Sequence, residues 1–296
     1  MYTTARAKLP LKLMGGDAPG EREIAEEQQN IAEMMAAESG DAGAAAAPTA
    51  NPRGGSGARA PIVATDGRGG ARGGAGGGPV TDPKLDPKVR ARVARARSIR
   101  MYVSDGSFDT SPIVAATAAP EPAEMWFAQM QLWAQSDIVD AIAAFNNDAV
   151  ANVTDTDPYV EHSPVKRLER VKVWGYMAKN FIPFPPVGDA NEMRLSFTGK
   201  VSDEQFDVVR VTVTVIIDQR EVLRFMDRLM RQNFYNCVHM EYGVVDRTTA
   251  EIDGYAYGTA PVVRLTLDLE AYYARKAYQE LMPPDVQTLL GVTPQG

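Results

Sequence analysis

One stretch constrains this chain more than any other: residues 206–218, FDVVRVTVTVIID, which are followed directly by a helical and then a second extended pattern. Val209 and Val211 begin a run in which every second residue is β-branched and apolar, up to Ile217. Arg210 and Thr212 lie on the opposite parity. Strict alternation of this kind, in β-branched residues, predicts a strand with one buried face.

The next two patterns complete a strand–helix–strand unit. Asp218 followed three residues later by Glu221 has the spacing of a helix cap, and it predicts a helix up to about residue 232. Residues 234–244 then return to an extended pattern. The residues predicted to share one face of this second strand are Phe234, Val238, Met240, Tyr242 and Val244.

The remaining elements predict an α+β fold. A strand is expected at 99–103, the longest helix at 121–146 with Asn146 and Asn147 as its stop signals, and a bulged strand at 165–176. A last strand at about 261–272 has Val263, Leu265, Leu267 and Leu269 inward. The order indicates a ferredoxin-like βαββαβ domain with an extra C-terminal strand.

Composition divides the chain into three parts. Residues 1–39 predict an N-terminal helical segment, in which residues 20–37 are typical of the remnant of a coiled coil. Residues 40–83 are rich in Gly, Ala and Pro and offer almost nothing to bury, so we expect a disordered linker there. Residues 84–296 form the predicted ferredoxin-like domain, with a C-terminal helical tail.

Charge and cysteine content exclude several classes of protein. The formal net charge is −7, and the acidic excess falls after residue 120, so the predicted domain is a poor match for nucleic acid. Cys237 is the single cysteine, which excludes an intrachain disulfide framework. No apolar run reaches about 18 residues, so no membrane span is expected, and no signal-peptide core is recognised. As written, the chain is expected to be soluble.

The sequence offers few groups for catalysis or metal binding. Asp155, Asp157, Glu161 and His162 share a polar loop, but they lack the spacing of an EF-hand, so a solvated loop is the preferred interpretation. Two residues apart on a strand, Cys237 and His239 are expected to point the same way without a third partner. We therefore predict no catalytic residue, no cofactor and no metal, and hence a protein that is not an enzyme.

Arginine-glycine triplets raise a second hypothesis, RNA binding. They begin at Arg53, Arg68 and Arg72, and a basic segment follows at residues 84–100. Such segments bind RNA through charge and stacking. RNA recognition domains of similar element order stack bases on aromatic residues of the central strands, and the outward face of residues 208–216 has none. RNA binding therefore remains the alternative, and no nucleic-acid partner is expected.

A family resemblance supports a structural role. The segments SPVKRL, SFTGKVSDEQFDVVRVTVTVIID, QNFYNCVHMEYGVVD, GYAYGTAPVVRLTLDLEAYY and MPPDVQTLLG together resemble the PilO-like proteins of type IV pilus assembly. That resemblance covers roughly residues 95–292. It implies a periplasmic ferredoxin-like scaffold at the bacterial inner membrane, which pairs with a PilN-like partner or with itself and carries no catalytic residues.

The resemblance also implies one transmembrane helix before a coiled coil, and this chain departs from the family pattern because it has no such helix. Either its start is truncated just after that helix, or it is a soluble paralogue. Pairing of such domains is expected through strand edges or helix faces. The residues predicted to contact a partner are the outward-facing ones of the last strand: Val262, Arg264, Thr266 and Asp268.

Overall fold

The computed structural model describes residues 2–41, 86–154, 157–185, 196 and 198–292. The chain forms two compact units, one made of residues 1–19 and 92–296 and the other of residues 20–91. The predicted linker lies outside the described residues from residue 42 onward.

The smaller unit contains α3 (Glu21–Asp41) and the beginning of α4 (Pro87–Ser98). Within this unit, the Arg90 guanidinium lies 2.9 Å from the Glu27 carboxylate. Residues 20–37, which were expected to be helical, fall almost entirely within α3, which extends a few residues beyond the expected end.

The larger unit is built on a seven-stranded mixed sheet. Its strands are β1 (Gly15–Gly16), β2 (Met101–Val103), β3 (Val165–Tyr176), β4 (Ile182–Pro183), β5 (Phe206–Asp218), β6 (Tyr235–Val244) and β7 (Val262–Ala274). The order across the sheet is β1-β2-β3-β5-β7-β6, and β4 pairs with β3. The first three strands in this order are parallel, and the pairs β3–β5, β5–β7 and β7–β6 are antiparallel.

Strand β5 lies at the centre of the sheet, and its alternation predicts which of its faces is buried. Val209, Val211, Val213, Val215 and Ile217 are all fully buried on one face. Beside it, β3 shows three shifts in its pairing register with β5, which confirms the predicted irregularity in that strand.

Helices cover the apolar face of this sheet. They are α1 (Tyr2–Arg6), α2 (Leu9–Lys12), α5 (Pro122–Val150) and α6 (Val222–Gln232), while α7 (Arg247–Ile252) and α8 (Pro284–Leu289) are short. The predicted end of α5 at Asn146 is wrong by about one turn. The Asn146 amide is buried and bonds both the Val165 N–H (3.0 Å) and its C=O (3.1 Å), so this residue fastens the helix to β3 instead of ending it.

The α+β class is confirmed, whereas the ferredoxin-like topology is not. Strands β5 and β6 are joined by α6 and have an antiparallel strand between them, as in a split βαβ unit. Strands β2 and β3, joined by α5, are direct neighbours instead.

The strand predicted as an extra one, β7, occupies the gap between β5 and β6. It pairs with β5 along its whole length, from Val262 to Ala274. Leu265, Leu267 and Leu269 are buried against the helices, so the central position removes more of their apolar surface from water than an edge would.

Candidate functional site: a polar sheet face and an open strand edge

The sheet face opposite α5 and α6 is polar over β5 and β7. All four predicted contact residues lie on it, since Val262, Arg264, Thr266 and Asp268 alternate with the buried leucines of β7. They therefore face away from α5 and α6, although Asp268 is buried. They do not lie at a sheet edge, however, because β7 is flanked by β5 and β6.

Asp268 is the centre of a hydrogen-bond and charge network on this face. Only 7 % of the residue is exposed. Its Oδ1 accepts a 2.6 Å hydrogen bond from the Thr212 hydroxyl. Its Oδ2 lies 3.4 Å from the Arg210 guanidinium and 3.6 Å from Nδ1 of His239. The carboxylate therefore joins β5, β6 and β7.

The network continues onto β3 through an aromatic residue. The indole N–H of Trp174 donates to the Thr212 hydroxyl at 2.8 Å. The ammonium of Lys172 lies 3.4 Å from the centroid of the Trp174 ring, which is the geometry of a cation–π contact. Thr212 thus links a charged pair on one side with an aromatic residue on the other.

Arg264 is engaged within the same face. Its guanidinium donates to both oxygens of Glu169, at 2.6 and 2.9 Å, and these bonds raise the Arg264 pKa above its usual value. Val262 packs against an apolar cluster that includes Tyr102 and Ile216. Reversing the charge of Arg264 or Asp268 would therefore break contacts inside the sheet. Their role in partner contact stays a prediction.

The outer edge of the sheet is β6, which pairs with β7 and with no other described strand. Its register shifts between Cys237 and His239, so Val238 is an additional, bulged residue. Cys237 consequently lies opposite Leu269 on the helix-covered face, and His239 lies opposite Asp268 on the polar face. The prediction that Cys237 and His239 point the same way is wrong. Burial also raises the pKa of the Cys237 thiol, which disfavours a thiolate.

The direction of the backbone groups on β6 follows from two hydrogen bonds. The Tyr272 N–H donates to Phe234, on the β6 side, and the Arg275 N–H donates to Gln205, on the β5 side. Because these directions alternate along β7, Arg264, Thr266 and Asp268 turn their backbone groups toward β6.

The residues of β6 that lie opposite those three are His239, Glu241 and Gly243, and their backbone N–H and C=O groups therefore bond to β7. The intervening residues, Met240, Tyr242 and Val244, turn their N–H and C=O groups outward. We call these outward groups the open edge of β6.

Apolar side chains accompany the open edge. Val244 is 94 % exposed and Tyr242 is 51 % exposed, both on the helix-covered side of the sheet. The strand has neither Lys nor Pro, the residues that commonly protect an edge from pairing. Sequence reasoning missed this edge because it placed the predicted contact residues on the last strand of the chain. The available signal was the apolar parity of Met240, Tyr242 and Val244 in a half-strand without Lys or Pro.

At the other end of β6, Phe234 is 73 % exposed beside an apolar groove of about 370 Å³. Phe206, Met230 and Tyr272 also line this groove. The edge strand is thus flanked by exposed apolar surface at both ends, which is typical of surfaces that contact other proteins.

One buried amine stands apart from the polar face. Lys166 is 1 % exposed, and its ammonium donates to the carbonyls of Val160 (3.1 Å) and Glu161 (2.7 Å). Burial lowers the Lys166 pKa to about 8, although Asp218 and Glu161 act in the opposite direction. Since both carbonyls belong to the turn preceding β3, this contact closes the turn.

The predicted solvated loop gives no metal site in the part of the chain that the structure describes. No group of three or more His, Cys, Asp or Glu side chains there is arranged to hold a metal. Asp155 lies outside the described residues. Glu161 accepts a hydrogen bond from the Thr259 hydroxyl (3.2 Å), and Nδ1 of His162 accepts one from the Tyr159 N–H (3.3 Å).

The basic segment considered for RNA binding is helical in α4. Two of its guanidinium groups already contact acidic side chains of the protein. Arg90 pairs with Glu27, as described above, and Arg92 lies 3.3 Å from the Glu251 carboxylate and donates to the Glu251 carbonyl at 2.7 Å.

Comparisons with known proteins give no family. No family model and no curated protein matches this chain. A crystal structure from Akkermansia muciniphila is similar at 11 % sequence identity and a TM-score of 0.33, covering 64 % of this chain and 71 % of that one. Within the described residues, no helix combines the length and apolar character needed to cross a bilayer.

Proposed function

We propose that this protein is a non-enzymatic pairing module of an assembly platform, and that it associates through the open edge of β6. The single observation that carries this proposal is the ten-residue strand β6, whose outer side pairs with no described strand. An added strand would satisfy the outward N–H and C=O groups of Met240, Tyr242 and Val244.

Backbone hydrogen bonding and apolar burial both favour strand pairing at this edge. Each backbone hydrogen bond formed on pairing contributes about 0.5–1.5 kcal/mol net, and burial of apolar side chains adds to this. The charged groups of the neighbouring polar face are mostly satisfied by one another, as Asp268 with Thr212 and Arg264 with Glu169 illustrate. That face therefore supplies a rigid support for the edge.

The resemblance to PilO-like proteins suggests which assembly this pairing module belongs to. A scaffold of a type IV pilus platform, on the periplasmic face of the inner membrane, requires domains that pair without catalysis. The partner would be a PilN-like protein or a second copy of this chain. What supports this part is the order of strands and helices, together with the sequence segments quoted above.

Light scattering on the full chain at several concentrations tests the proposal. We expect a dimer that forms with rising concentration and that is lost in Tyr242→Pro, because proline lacks an outward N–H. Val244→Lys places a charge at a 94 % exposed position and should weaken association without affecting folding. Glu241→Gln, on the polar face, is the matched control and should associate as the wild type does.

The same measurement with added RNA separates the alternative. A monomer that gains mass only with RNA, at low salt, would contradict the pairing module and favour RNA binding. Dimers that persist in both Tyr242→Pro and Val244→Lys would show that association does not use the open edge.

A further inference from the structure

We infer that the occupant of the open edge is a second copy of this chain, paired antiparallel so that Tyr242 lies opposite Tyr242 of the other copy. This inference rests on the proposed pairing function and specifies its partner and register. It follows from three features of β6: the direction of its backbone groups, its charge and its bulge.

Backbone direction restricts the register first. In an antiparallel pair, residues with outward N–H and C=O groups must face residues of the same kind. On β6 these are Met240, Tyr242 and Val244. A pairing related by a two-fold axis must therefore place one of these three residues opposite Met240, Tyr242 or Val244 of the other copy.

Charge and the bulge exclude the neighbouring registers. Pairing Met240 with Tyr242 would put Glu241 directly opposite Glu241 of the second copy, and like charges at that position are destabilising. Centring the pair on Met240 would bring Tyr242 against the bulged Val238, where the regular ladder ends. Registers centred beyond Tyr242 carry Met240 past the end of the strand.

Centring on Tyr242 uses the whole regular half of β6, residues 240–244. On the helix-covered side, the two Tyr242 rings form a cross-strand aromatic pair, and Met240 of each copy lies opposite Val244 of the other. Val244, which is 94 % exposed in one copy, gains an apolar neighbour. On the polar side, Glu241 lies opposite Gly243, so no like charges meet.

Helix α6 adds apolar surface to the same junction. It leads from the end of β5 back to the start of β6, so its first turn lies near the C-terminal end of β6. Leu223, in that turn, is 72 % exposed. A two-fold axis perpendicular to the sheet keeps both α6 helices on one face of the paired sheets.

Cysteine cross-linking tests the register directly. In a Cys237→Ser background, the full chain would carry Tyr242→Cys, Val244→Cys or Met240→Cys, and mild oxidation would be followed on a non-reducing gel. Directly opposite residues in such a pair have Cα atoms about 5.5 Å apart, within the range of a disulfide. We expect Tyr242→Cys to link with itself. Val244→Cys and Met240→Cys should link only when the two variants are mixed.

The outcomes separate this inference from the proposed function. A dimer that is lost in Tyr242→Pro, but in which Val244→Cys links with itself as efficiently as Tyr242→Cys, would overturn the register and leave edge pairing intact. A chain that remains monomeric at every concentration would overturn the second copy as the occupant.

Discussion

Lys166 is a residue at which burial has a direct consequence for pH dependence. Its ammonium is almost completely removed from solvent, and two carbonyl groups satisfy part of its hydrogen-bonding capacity. Desolvation lowers its pKa from 10.5 to about 8, which means that the folded chain releases this proton more readily than the unfolded chain does.

Stability should therefore rise with pH above about 8. Between pH 8 and 10.5 the unfolded state binds the proton and the folded state does not, so the free energy of unfolding increases with pH across this window. By about pH 9.5 the gain should be on the order of 2 kcal/mol relative to pH 7. Below about pH 8 both states are protonated, and the contribution to the slope vanishes.

Urea denaturation at a series of pH values checks this, with Lys166→Met as the comparison. Other titrating groups are common to both proteins, so the difference between the two curves isolates Lys166. We expect the free energy of unfolding of the wild type to rise relative to that of Lys166→Met from pH 8 upward. Parallel curves would mean that Lys166 keeps an ordinary pKa in the folded state.

At the scale of elements, the strand β6 shows how one bulge divides a strand into two halves with different surroundings. Before Val238, Tyr235 is buried in the core and Cys237 packs against it. After Val238, the strand has Met240, Tyr242 and Val244 toward the helix side, and its outer backbone groups face outward. The bulge restores the apolar face of the second half, since uninterrupted alternation from Cys237 would have turned His239 toward the helices.

Hydrogen exchange should alternate along the second half of β6. In the dilute monomer, the amides of Glu241 and Gly243 are bonded to β7 and should exchange slowly. The amides of Met240, Tyr242 and Val244 point outward and should exchange at rates close to those of an unstructured chain. Residue-resolved exchange measured by NMR provides the rates. Uniform protection in the monomer would contradict the assignment of the open edge.

Raising the concentration supplies the control for this measurement. If two copies pair through the open edge, protection should spread to Tyr242 while Glu241 and Gly243 change little. Concentration-dependent protection that appears instead in α6 or β1 would place the association surface elsewhere.

At the scale of the whole molecule, the first residues of the chain belong to the larger unit. Leu9 and Leu13 are buried in the main core, where α2 packs against α5. The sequence placed residues 1–39 together as one helical segment, whereas the structure assigns residues 1–19 to the same unit as the sheet. Removal of this N-terminal part should therefore destabilise the domain, although it lies far in sequence from the central strands β3, β5 and β7.

Leu9→Ala should lower the free energy of unfolding by about 2–4 kcal/mol, because it leaves a cavity at a position that is 2 % exposed. Leu11→Ala removes the same atoms from a residue that is 71 % exposed, and its effect should stay within about 0.5 kcal/mol. Chemical denaturation of the two variants provides the comparison. Equal, small effects would show that α2 does not contribute to the core.

Local patterns allowed much of this fold to be predicted. The alternation in β5 and the inward leucines of β7 each specify a strand and its buried face, because side chains of a strand alternate regardless of its neighbours. The predicted irregularity of β3 follows from Leu168 and Val171 having opposite parity, and it is present. The outward direction of Arg264, Thr266 and Asp268 follows from the same rule.

Only the tertiary structure decided which strands are neighbours. Nothing in the pattern of β7 states that it lies between β5 and β6, because pairing depends on which partner buries Leu265 and Leu267 most completely. The end of α5 depended likewise on a distant contact, between Asn146 and Val165. The open edge of β6 was hidden for the same reason: a strand becomes an edge by the placement of the others. The sequence by itself determined the elements and their buried faces, and long-range packing determined their order and the surface left for a partner.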